Sequence, residues 1–362
     1  MKRAQLQKVI QPALTSSKRS RERVASLIHI YRMDFRQTIL NIPEQFQTGS
    51  ESAKSVKFNQ EKFDRVILCG MGGSMMPAEI LMTLCEVTQT PNSNFYIHRD
   101  YEIPSWVSKN DLVVCISWSG NTEETVSSYK SAIERGIQTV VITKGGKLKK
   151  LAQNSPGFIL LPQENIPTRT GISYMFSALL TFLDDSAILK FPENNTLKQL
   201  LELKNVMKPG DLEITGKDIA NQINNLTPTI YSSYKWRALP LLWKINFNEN
   251  AKIHSFWNHF PSIAHNEIVG FESSKNFYSI LLSDPQENPK QIKKLDVAVK
   301  ILKELKINHQ VISIEGENVI QKIFINYILA MWTSYFMAIN SKQDPSNDEL
   351  LDRFKDLERL TI

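Results

Sequence analysis

The chain is poor in cysteine, and its few cysteines form no pattern typical of a metal site or a redox pair. Cys69, Cys85 and Cys115 are the three cysteines among 362 residues, and no two of them form a Cys-x-x-Cys pair. Two of them lie within apolar runs that are typical of buried strands. Since disulfide frameworks and zinc sites need paired or closely spaced cysteines, we interpret all three as reduced core thiols of a cytoplasmic protein.

The sequence also lacks an apolar run long enough to cross a bilayer. The longest strongly apolar helical stretch is "YILAMWTSYFMAI" at residues 327–339, which Thr333 and Ser334 interrupt. A transmembrane helix needs about 20 predominantly apolar residues. The pattern therefore predicts a buried helix and no membrane partner, in a chain long enough for one large or two ordinary domains.

Excess positive charge is missing from most of the chain, although the formal net charge is +6. Residues 1–36 hold nine Lys or Arg and two acidic residues, which leaves 34 basic against 35 acidic residues elsewhere. A helix with a solvated basic face explains this segment most simply, whereas a secretory signal would need an apolar core and an organelle transit peptide has no further support. Because aromatic side chains do not interleave with the basic ones, we predict no nucleic-acid partner.

Apolar strand-like runs alternate with helical patterns, and they do so twice. The strands are predicted at 65–70, 94–100, 111–118, 138–145 and 157–162, and then at 228–233, 251–256, 276–283 and 308–315. The helices between and after them are predicted at 74–87, 121–136, 173–189, 234–247, 288–305 and 317–340. Such alternation is typical of parallel sheets with helices on both faces.

We therefore predict an α/β protein with two tandem doubly wound parallel sheets and additional helices at both ends of the chain. Its predicted parts are a basic helical segment at 1–58, a first domain at 59–190, a connection at 191–212 that is rich in Asn, Lys and Pro, and a second domain at 213–362.

A tight glycine turn joins the first strand to its helix in "VILCGMGGSMMPAE", where Gly72 and Gly73 precede Ser74. Such a turn allows close backbone approach and leaves free N–H groups at a helix start, which favours an anion. The spacing fits neither the dinucleotide fingerprint nor a Walker sequence. By itself, the turn is equally consistent with a purely structural role.

A second strand runs into a cluster of hydroxyls in "DLVVCISWSGNTEET", which supplies Ser117, Ser119 and Thr122. Together with Ser74, these residues place four hydroxyls at the carboxyl ends of strands in one sheet, where ligands of such folds bind. Each residue alone also suits a turn or helix cap. Neither turn contains Lys or Arg, so the pair of turns favours one phosphate group held as an anchor over triphosphate chemistry.

The motifs "GMGGS" and "SWSGNTEET" resemble the sugar isomerase (SIS) domain, whose pattern surrounds a sugar phosphate. More narrowly, the chain resembles the bifunctional phosphoglucose/phosphomannose isomerases over roughly residues 34–360. The segments that carry this narrower resemblance are "FRQTILNIPEQF", "PTRTG", "KINFNENAK" and "AHNEIVGFE". The resemblance implies a cytoplasmic enzyme of carbohydrate metabolism, in glycolysis and gluconeogenesis, that interconverts glucose 6-phosphate, and mannose 6-phosphate, with fructose 6-phosphate.

Aldose–ketose isomerisation needs ring opening, a base for the proton next to the carbonyl, and a cation near the enediolate. Glu249 is the candidate base and His265 the candidate for ring opening. Arg169, in the "PTRTG" loop, is the candidate cation. Each of these residues, and Glu267 as well, also has a non-catalytic alternative. A surface carboxylate, a helix-capping His or a solvated Arg would give the same sequence pattern.

The C-terminal stretch "QDPSNDELLDRFKDL" adds two residues by resemblance. A family lysine maps to Lys355, with Arg353 as the alternative, and Ser346 stands where the family usually has Thr beside C2 of the sugar. Ser346 keeps the oxygen but loses the methyl group, so activity on the mannose epimer is an open expectation. In the resembling family the ring-opening His comes from the neighbouring subunit, which implies a homodimer with shared sites.

No cofactor is expected, and metal-free acid/base chemistry is predicted. His254, His259 and His265 are spaced by five and six residues, which does not place them on one helix face as zinc ligands would be. Two alternatives stay open. A non-catalytic sugar-phosphate sensor would keep the hydroxyl turns without Glu249, and another sugar-phosphate isomerase or epimerase would share the whole fold.

Overall fold

The computed structural model describes residues 35–56, 63–91, 94–192 and 195–361. The predicted basic helix of the N-terminal segment therefore lies largely outside the described residues. Residues 35–40 are helical. The helix that follows, α1, spans Ile42–Ala53 and begins with a proline in its first turn, where a missing N–H costs nothing.

The first sheet has five parallel strands in the order β2-β1-β3-β4-β5. Its third strand is buried along its whole length, because helices cover both faces of the sheet. In chain order the elements are β1 (Val66–Cys69), α2 (Met76–Thr88), β2 (Phe95–His98), β3 (Leu112–Ile116), α3 (Glu123–Glu134), β4 (Gln138–Thr143), α4 (Gly146–Ala152), β5 (Phe158–Leu160) and α5 (Ile172–Asp185).

The second sheet has four parallel strands in the order β7-β6-β8-β9. Its elements are α7 (Glu213–Ile223), β6 (Thr227–Ser233), α8 (Ala238–Asn246), β7 (Phe256–Phe260), β8 (Phe277–Ser283), α9 (Pro289–Glu304), β9 (Asn308–Ser313), α10 (Val319–Asn340) and α11 (Glu349–Thr361). The predicted fold class, two parallel α/β sheets in tandem, is confirmed.

One local prediction is wrong, and one segment contains more structure than was predicted. The second strand of the second sheet begins at Phe256, whereas the sequence predicted it at 251–256, because residues Phe247–Ala251 continue α8 as a π-helical turn. The segment at 191–212 is more than a connection, since it contains α6 (Thr196–Val206), which packs on α1. Its many Asn and Lys residues hid the buried positions Leu200 and Leu203.

Helix α10 is the core helix of the second half. Among the described residues it is the one helix long and apolar enough to cross a membrane by length and composition, and 78% of its most apolar window is buried inside the protein. It packs against α7 and α8. Its interior residues include Phe324, Tyr327 and Trp332, so its apolar composition is explained by packing.

In each sheet the strand order reverses once, between β1 and β3 in the first sheet and between β6 and β8 in the second. At such a reversal the loops that follow the two strands diverge and leave a crevice beyond the strand ends. We call these two places the first and the second switch point. The two turns singled out in the sequence, at 70–74 and 117–122, follow β1 and β3 and therefore meet at the first switch point.

Candidate active site

The hydroxyls of the first switch point lie in one hydrogen-bonded group. The buried Ser74 hydroxyl accepts from the Trp118 backbone N–H at 3.0 Å, which joins the two turns directly. Ser117 lies 3.0 Å from the Thr122 hydroxyl and accepts from the Gly120 N–H at 3.1 Å. The structure thus brings three of the four predicted hydroxyls together, while the Ser119 side chain of the same loop is exposed.

Glycine is required at position 120 and fits closely at position 73. Gly120 has φ +66°, and a Cβ there would lie 1.8 Å from the Gly145 carbonyl oxygen. A Cβ on Gly73 would approach Thr168 and Arg169 to 3.2–3.4 Å. The glycine turn therefore contacts the Arg169 turn directly, and this contact links the hydroxyl loops to the rest of the site.

Arg169 is a buried residue of the first half whose side chain bonds to residues of the second half. Its side chain is 1% exposed, yet its Nη1 pairs with Glu249 at 2.9 Å and with Asp348 at 2.8 Å. Its Nη2 donates to the Pro345 carbonyl at 2.6 Å, and its Nε donates to the Asn250 side chain. A buried guanidinium is tolerated only when its donors are satisfied in this way.

The candidate base Glu249 stands on the π-helical turn Phe247–Ala251 at the end of α8. Buried hydrogen bonds shape this turn, because Asn250 Nδ2 donates to the Asn246 side chain at 3.0 Å and to Ser334 Oγ of α10 at 2.9 Å. π-turns often occur at functional sites, since the extra residue redirects a side chain. Here it leaves the Glu249 side chain 31% exposed beside the buried arginine.

Glu249 faces a cavity of about 700 Å³ between the π-turn and α11. Arg353 and Phe354 of α11 line it from the other side. Lys355 is on α11 but is not among the lining residues, so of the two cations that the resemblance left open, Arg353 is the one that lines this cavity.

Two contributors to this site were missed in the sequence. Asp348 pairs with Arg169, and its only signal was its place in the polar run after Pro345. Lys252 follows the π-turn with φ +61°, and its Nζ donates to the carbonyl oxygens of Glu249 and of Asn347, the latter at 2.5 Å. Burial of this ammonium, together with the nearby Arg169 charge, lowers the pKa of Lys252 to about 8.

Ser346 and His265 lie in different surroundings. Ser346 follows the carbonyl that Arg169 holds, and its hydroxyl donates to Asp344 at 2.7 Å. His265 ends the short helix Ser262–His265, is exposed, and does not line the Glu249 cavity. Within one chain the structure therefore brings Arg169 and Glu249 together and leaves His265 apart from them.

The second switch point is occupied by the protein's own charged side chains. Glu287, in the loop after β8, accepts from the Ser233 hydroxyl at 2.5 Å and pairs with Lys235 at 2.8 Å. Asp284 of the same loop pairs with Lys322 of α10 at 2.8 Å. The cavity beside Ser233 and Glu287 measures about 10 Å³, which is at most the room of a single water. Lys235, Asp284 and Lys322 also line another cavity, of about 520 Å³.

Glu267, the other carboxylate that the sequence left open, is held inside the second half. It accepts from the Tyr231 hydroxyl at 2.7 Å and from Asn258 at 2.6 Å. In the part of the chain that the structure describes, no group of three or more His, Cys, Asp or Glu side chains is placed to hold a metal ion. Metal-free chemistry stays a prediction.

The fold and the two sheets define a class of protein built from two SIS domains. The SIS domain family matches residues 57–184, and the family of the bacterial phospho-glucose isomerase C-terminal SIS domain matches residues 213–357. A solved structure of a hypothetical protein from Thermus thermophilus shares this fold with a TM-score of 0.68 at 15% identity, covering 97% of this chain and 98% of that one.

The curated relatives narrow the class to a family. A bifunctional phosphoglucose/phosphomannose isomerase from Aquifex aeolicus is 30% identical over 80% of this chain and 89% of the relative. One from Caldicellulosiruptor bescii is 28% identical over 88% of this chain and 97% of the relative. The chain belongs to the bifunctional phosphoglucose/phosphomannose isomerase family.

Proposed function

We propose that this protein is a sugar-phosphate isomerase that interconverts glucose 6-phosphate and fructose 6-phosphate, with mannose 6-phosphate as a further substrate. The observation that carries the proposal is the Arg169–Glu249 pair at 2.9 Å, which places a partly exposed carboxylate on a cavity wall. The named activity of the relatives supports the same reaction. A cytoplasmic location goes with this proposal and stays a prediction.

The phosphate group is proposed to bind at the first switch point. Ser119 is exposed and Thr122 half-buried, so both hydroxyls are open to a ligand. The N-terminus of α3 adds backbone N–H groups and a favourable dipole for an anion. Ser74 and Ser117 are buried and act by fixing the two turns, while Gly72 and Gly73 allow close approach of the ligand to the backbone.

In the proposed reaction the Glu249 carboxylate removes the proton from C2 of the open-chain aldose. The electrons of that C–H bond form the C1–C2 double bond of an enediolate, and the charge moves to O1, which takes up a proton. Glu249 then returns its proton to C1 while the O2 hydroxyl loses its own, which leaves a ketone at C2. The sum is an isomerisation, so no oxidant or reductant is consumed.

Arg169 is proposed to stabilise the enediolate through space. Its guanidinium is covered by residues 345–348 and contacts the cavity only through Glu249 and Asp348. A fixed buried charge acts strongly on its surroundings without touching them, because the local dielectric is low. Arg353 lines the same cavity and is the second cation proposed to face the sugar, ahead of Lys355.

His265 is proposed to open the sugar ring in the site of a second subunit of a homodimer. Its exposure, and its separation from the Glu249 cavity within one chain, agree with such an arrangement. Mixing inactive Glu249→Gln and His265→Ala proteins tests this idea, because shared sites regain activity in mixed dimers. If verified subunit exchange restores no activity, each site is built from one chain.

One assay tests the proposed function as a whole. Purified protein is given fructose 6-phosphate, and glucose 6-phosphate and mannose 6-phosphate are read out by separate coupling enzymes. Formation of glucose 6-phosphate that persists after EDTA treatment supports metal-free isomerisation. Tight binding of the sugar phosphate without turnover would instead favour the non-catalytic sensor, and loss of activity with EDTA would overturn the metal-free chemistry.

A further inference from the structure

We propose that Lys252 is a positioning residue of this site, whose ammonium group ties the C-terminal segment 344–348 to the turn that carries Glu249. The proposal rests on the proposed function and deepens it. It assigns Lys252 the task of holding the base and the cover of Arg169 in one arrangement.

Lys252 links two backbone segments through its ammonium group, and we call this pair of contacts the clasp. Its Nζ donates to the carbonyl oxygen of Glu249, three residues earlier, and to that of Asn347, 95 residues later. The first bond fixes the end of the π-turn, and the second fixes the segment that leads into α11. Although the side chain as a whole is exposed, its ammonium end is therefore enclosed by protein acceptors.

The backbone at Lys252 is adapted to this role. Its φ of +61° lies in the left-handed region, which non-glycine residues seldom occupy. Its N–H closes the turn by donating to the Phe247 carbonyl. A glycine or asparagine would adopt this conformation more easily, so the long cationic side chain is present at a cost in backbone conformation that its two contacts offset.

Two cations hold the same segment. Arg169 donates to the Pro345 carbonyl and pairs with Asp348. Lys252 donates to the Asn347 carbonyl. Removing Lys252 leaves the Arg169 contacts in place but frees Asn347, so the Glu249 carboxylate and the cavity wall lose a fixed relation to each other.

The charges around Lys252 make the clasp sensitive to pH. The carboxylates of Asp348, Asp344 and Glu249 favour the ammonium form, whereas burial and the Arg169 charge oppose it and lower its pKa to about 8. Arg353, Asp348 and Glu349 also line the cavity wall, together with the imidazole of His254. Because the pKa of Lys252 in this arrangement lies below its ordinary value of 10.5, forming the contacts releases a proton between about pH 8 and 10.5, and rising pH favours the closed arrangement. The neutral amine still has two N–H groups to donate to the two carbonyl oxygens, so the segment stays held above pH 8.

The experiment compares Lys252→Arg, Lys252→Met and a control, Lys300→Met, which alters an exposed lysine of α9. The first readout is kcat and KM for fructose 6-phosphate between about pH 6.5 and 9.5. Lys252→Met removes the donors to both carbonyl oxygens and should lower kcat at pH 7 by about 10–100-fold with little change in KM, whereas Lys252→Arg keeps N–H donors and should restore most of that loss. Lys300→Met should match the wild type at every pH. The wild type should not lose kcat between pH 7 and 9 through release of residues 344–348.

The second readout needs no catalysis. Amide hydrogen exchange of residues 344–348, corrected for the intrinsic effect of pH, should keep its protection from pH 7 to 9 in the wild type and in Lys252→Arg and lose it in Lys252→Met. If the wild type shows no isomerase activity, the proposed function fails while this readout still decides the role of Lys252. Normal kcat in Lys252→Met, full protection in Lys252→Met, or a rise in KM alone would each overturn the proposal.

Discussion

The two switch points of the molecule have the same topology and opposite contents. At the first, the loops after β1 and β3 carry hydroxyls and glycines and contain no Lys or Arg. At the second, the loops after β6 and β8 carry Glu287 and Asp284, which pair with Lys235 and Lys322. The second switch point therefore holds ion pairs of the protein itself, although a cavity of about 520 Å³ remains beside Lys235, Asp284 and Lys322.

This difference shows how a repeated fold divides its work. The second half carries ion pairs at its own strand ends and supplies the proposed base, Glu249, from the turn after α8. The first half supplies the hydroxyl loops and Arg169. Since neither half contains both the proposed anchor and the proposed base, the proposed site needs both domains.

The largest effect is expected from removing the base. Glu249→Gln keeps the size of the side chain but cannot take a proton, so kcat should fall by roughly 10²–10⁴-fold. The matched control at the second switch point, Glu287→Gln, should keep kcat within about threefold per folded molecule. Steady-state kinetics with fructose 6-phosphate measures both. A fully active Glu249→Gln variant would remove Glu249 from the mechanism.

The next largest effect is expected on stability, when one partner of the buried ion pair at the second switch point is removed. Asp284→Asn leaves Lys322 buried without its counter-charge, so the free energy of unfolding should fall by about 3–5 kcal/mol. The double variant Asp284→Leu with Lys322→Met should recover most of that loss, because it leaves no unpaired charge. Urea denaturation measures these values.

The control for this prediction is Glu202→Gln, which breaks the exposed pair with Lys198 on α6. Such surface pairs contribute about 0–1 kcal/mol, so little change is expected. Equally small decreases in the free energy of unfolding for Asp284→Asn and Glu202→Gln would mean that the ion pairs do not stabilise the second switch point. The contrast between the two switch points would then have no energetic basis.

A smaller effect is expected at the phosphate anchor. Ser119→Ala and Thr122→Ala each remove a hydroxyl that the first switch point offers to the ligand, and the loss of a charge-assisted hydrogen bond of about 1.5–3 kcal/mol should raise KM about 10–100-fold. Ser233→Ala, the hydroxyl at the second switch point, should leave KM unchanged. Normal KM values in both Ser119→Ala and Thr122→Ala would place the anchor elsewhere.

The smallest effect concerns the choice of epimer. Glucose and mannose 6-phosphate differ at C2, and a small hydroxyl residue there leaves room for the open-chain sugar to rotate before proton transfer. We expect both to be substrates, with glucose 6-phosphate preferred by at most about a hundredfold, or ~2.7 kcal/mol. Ser346→Gln should selectively depress the mannose reaction. If Ser346→Thr forms mannose 6-phosphate and the wild type does not, the missing methyl group sets the specificity.

Much of the fold was predictable, because parallel strands covered on both faces are continuous apolar runs such as "LVVCI" at 112–116. The errors have local causes. Residues 251–256 alternate like a strand, but Asn246 and Asn250 hold the preceding residues in a π-turn through side-chain bonds that no periodicity reveals. Helix α6 was not recognised in the sequence because most of its residues are polar and exposed.

The site residues that lie in a sequence motif were predictable, and those that reach the site only through contacts between distant parts of the chain were not. Ser74, Ser117 and Thr122 lie in short patterns next to strand ends, so topology alone brings them together. Asp348 and Lys252 reach the site through contacts across 179 and 95 residues, with Arg169 and Asn347 respectively. Such contacts depend on tertiary packing, which a single sequence does not show.

The burial of Arg169 beneath residues 345–348 has a consequence for the order in which the protein matures. The ribosome makes both sheets before it makes this cover, and domains generally fold as units in the order of synthesis. Until the cover arrives, the guanidinium lacks the Pro345 carbonyl and the Asp348 carboxylate. A nascent chain in which both sheets are complete therefore still lacks the proposed site until residues 345–348 have been made and packed onto Arg169.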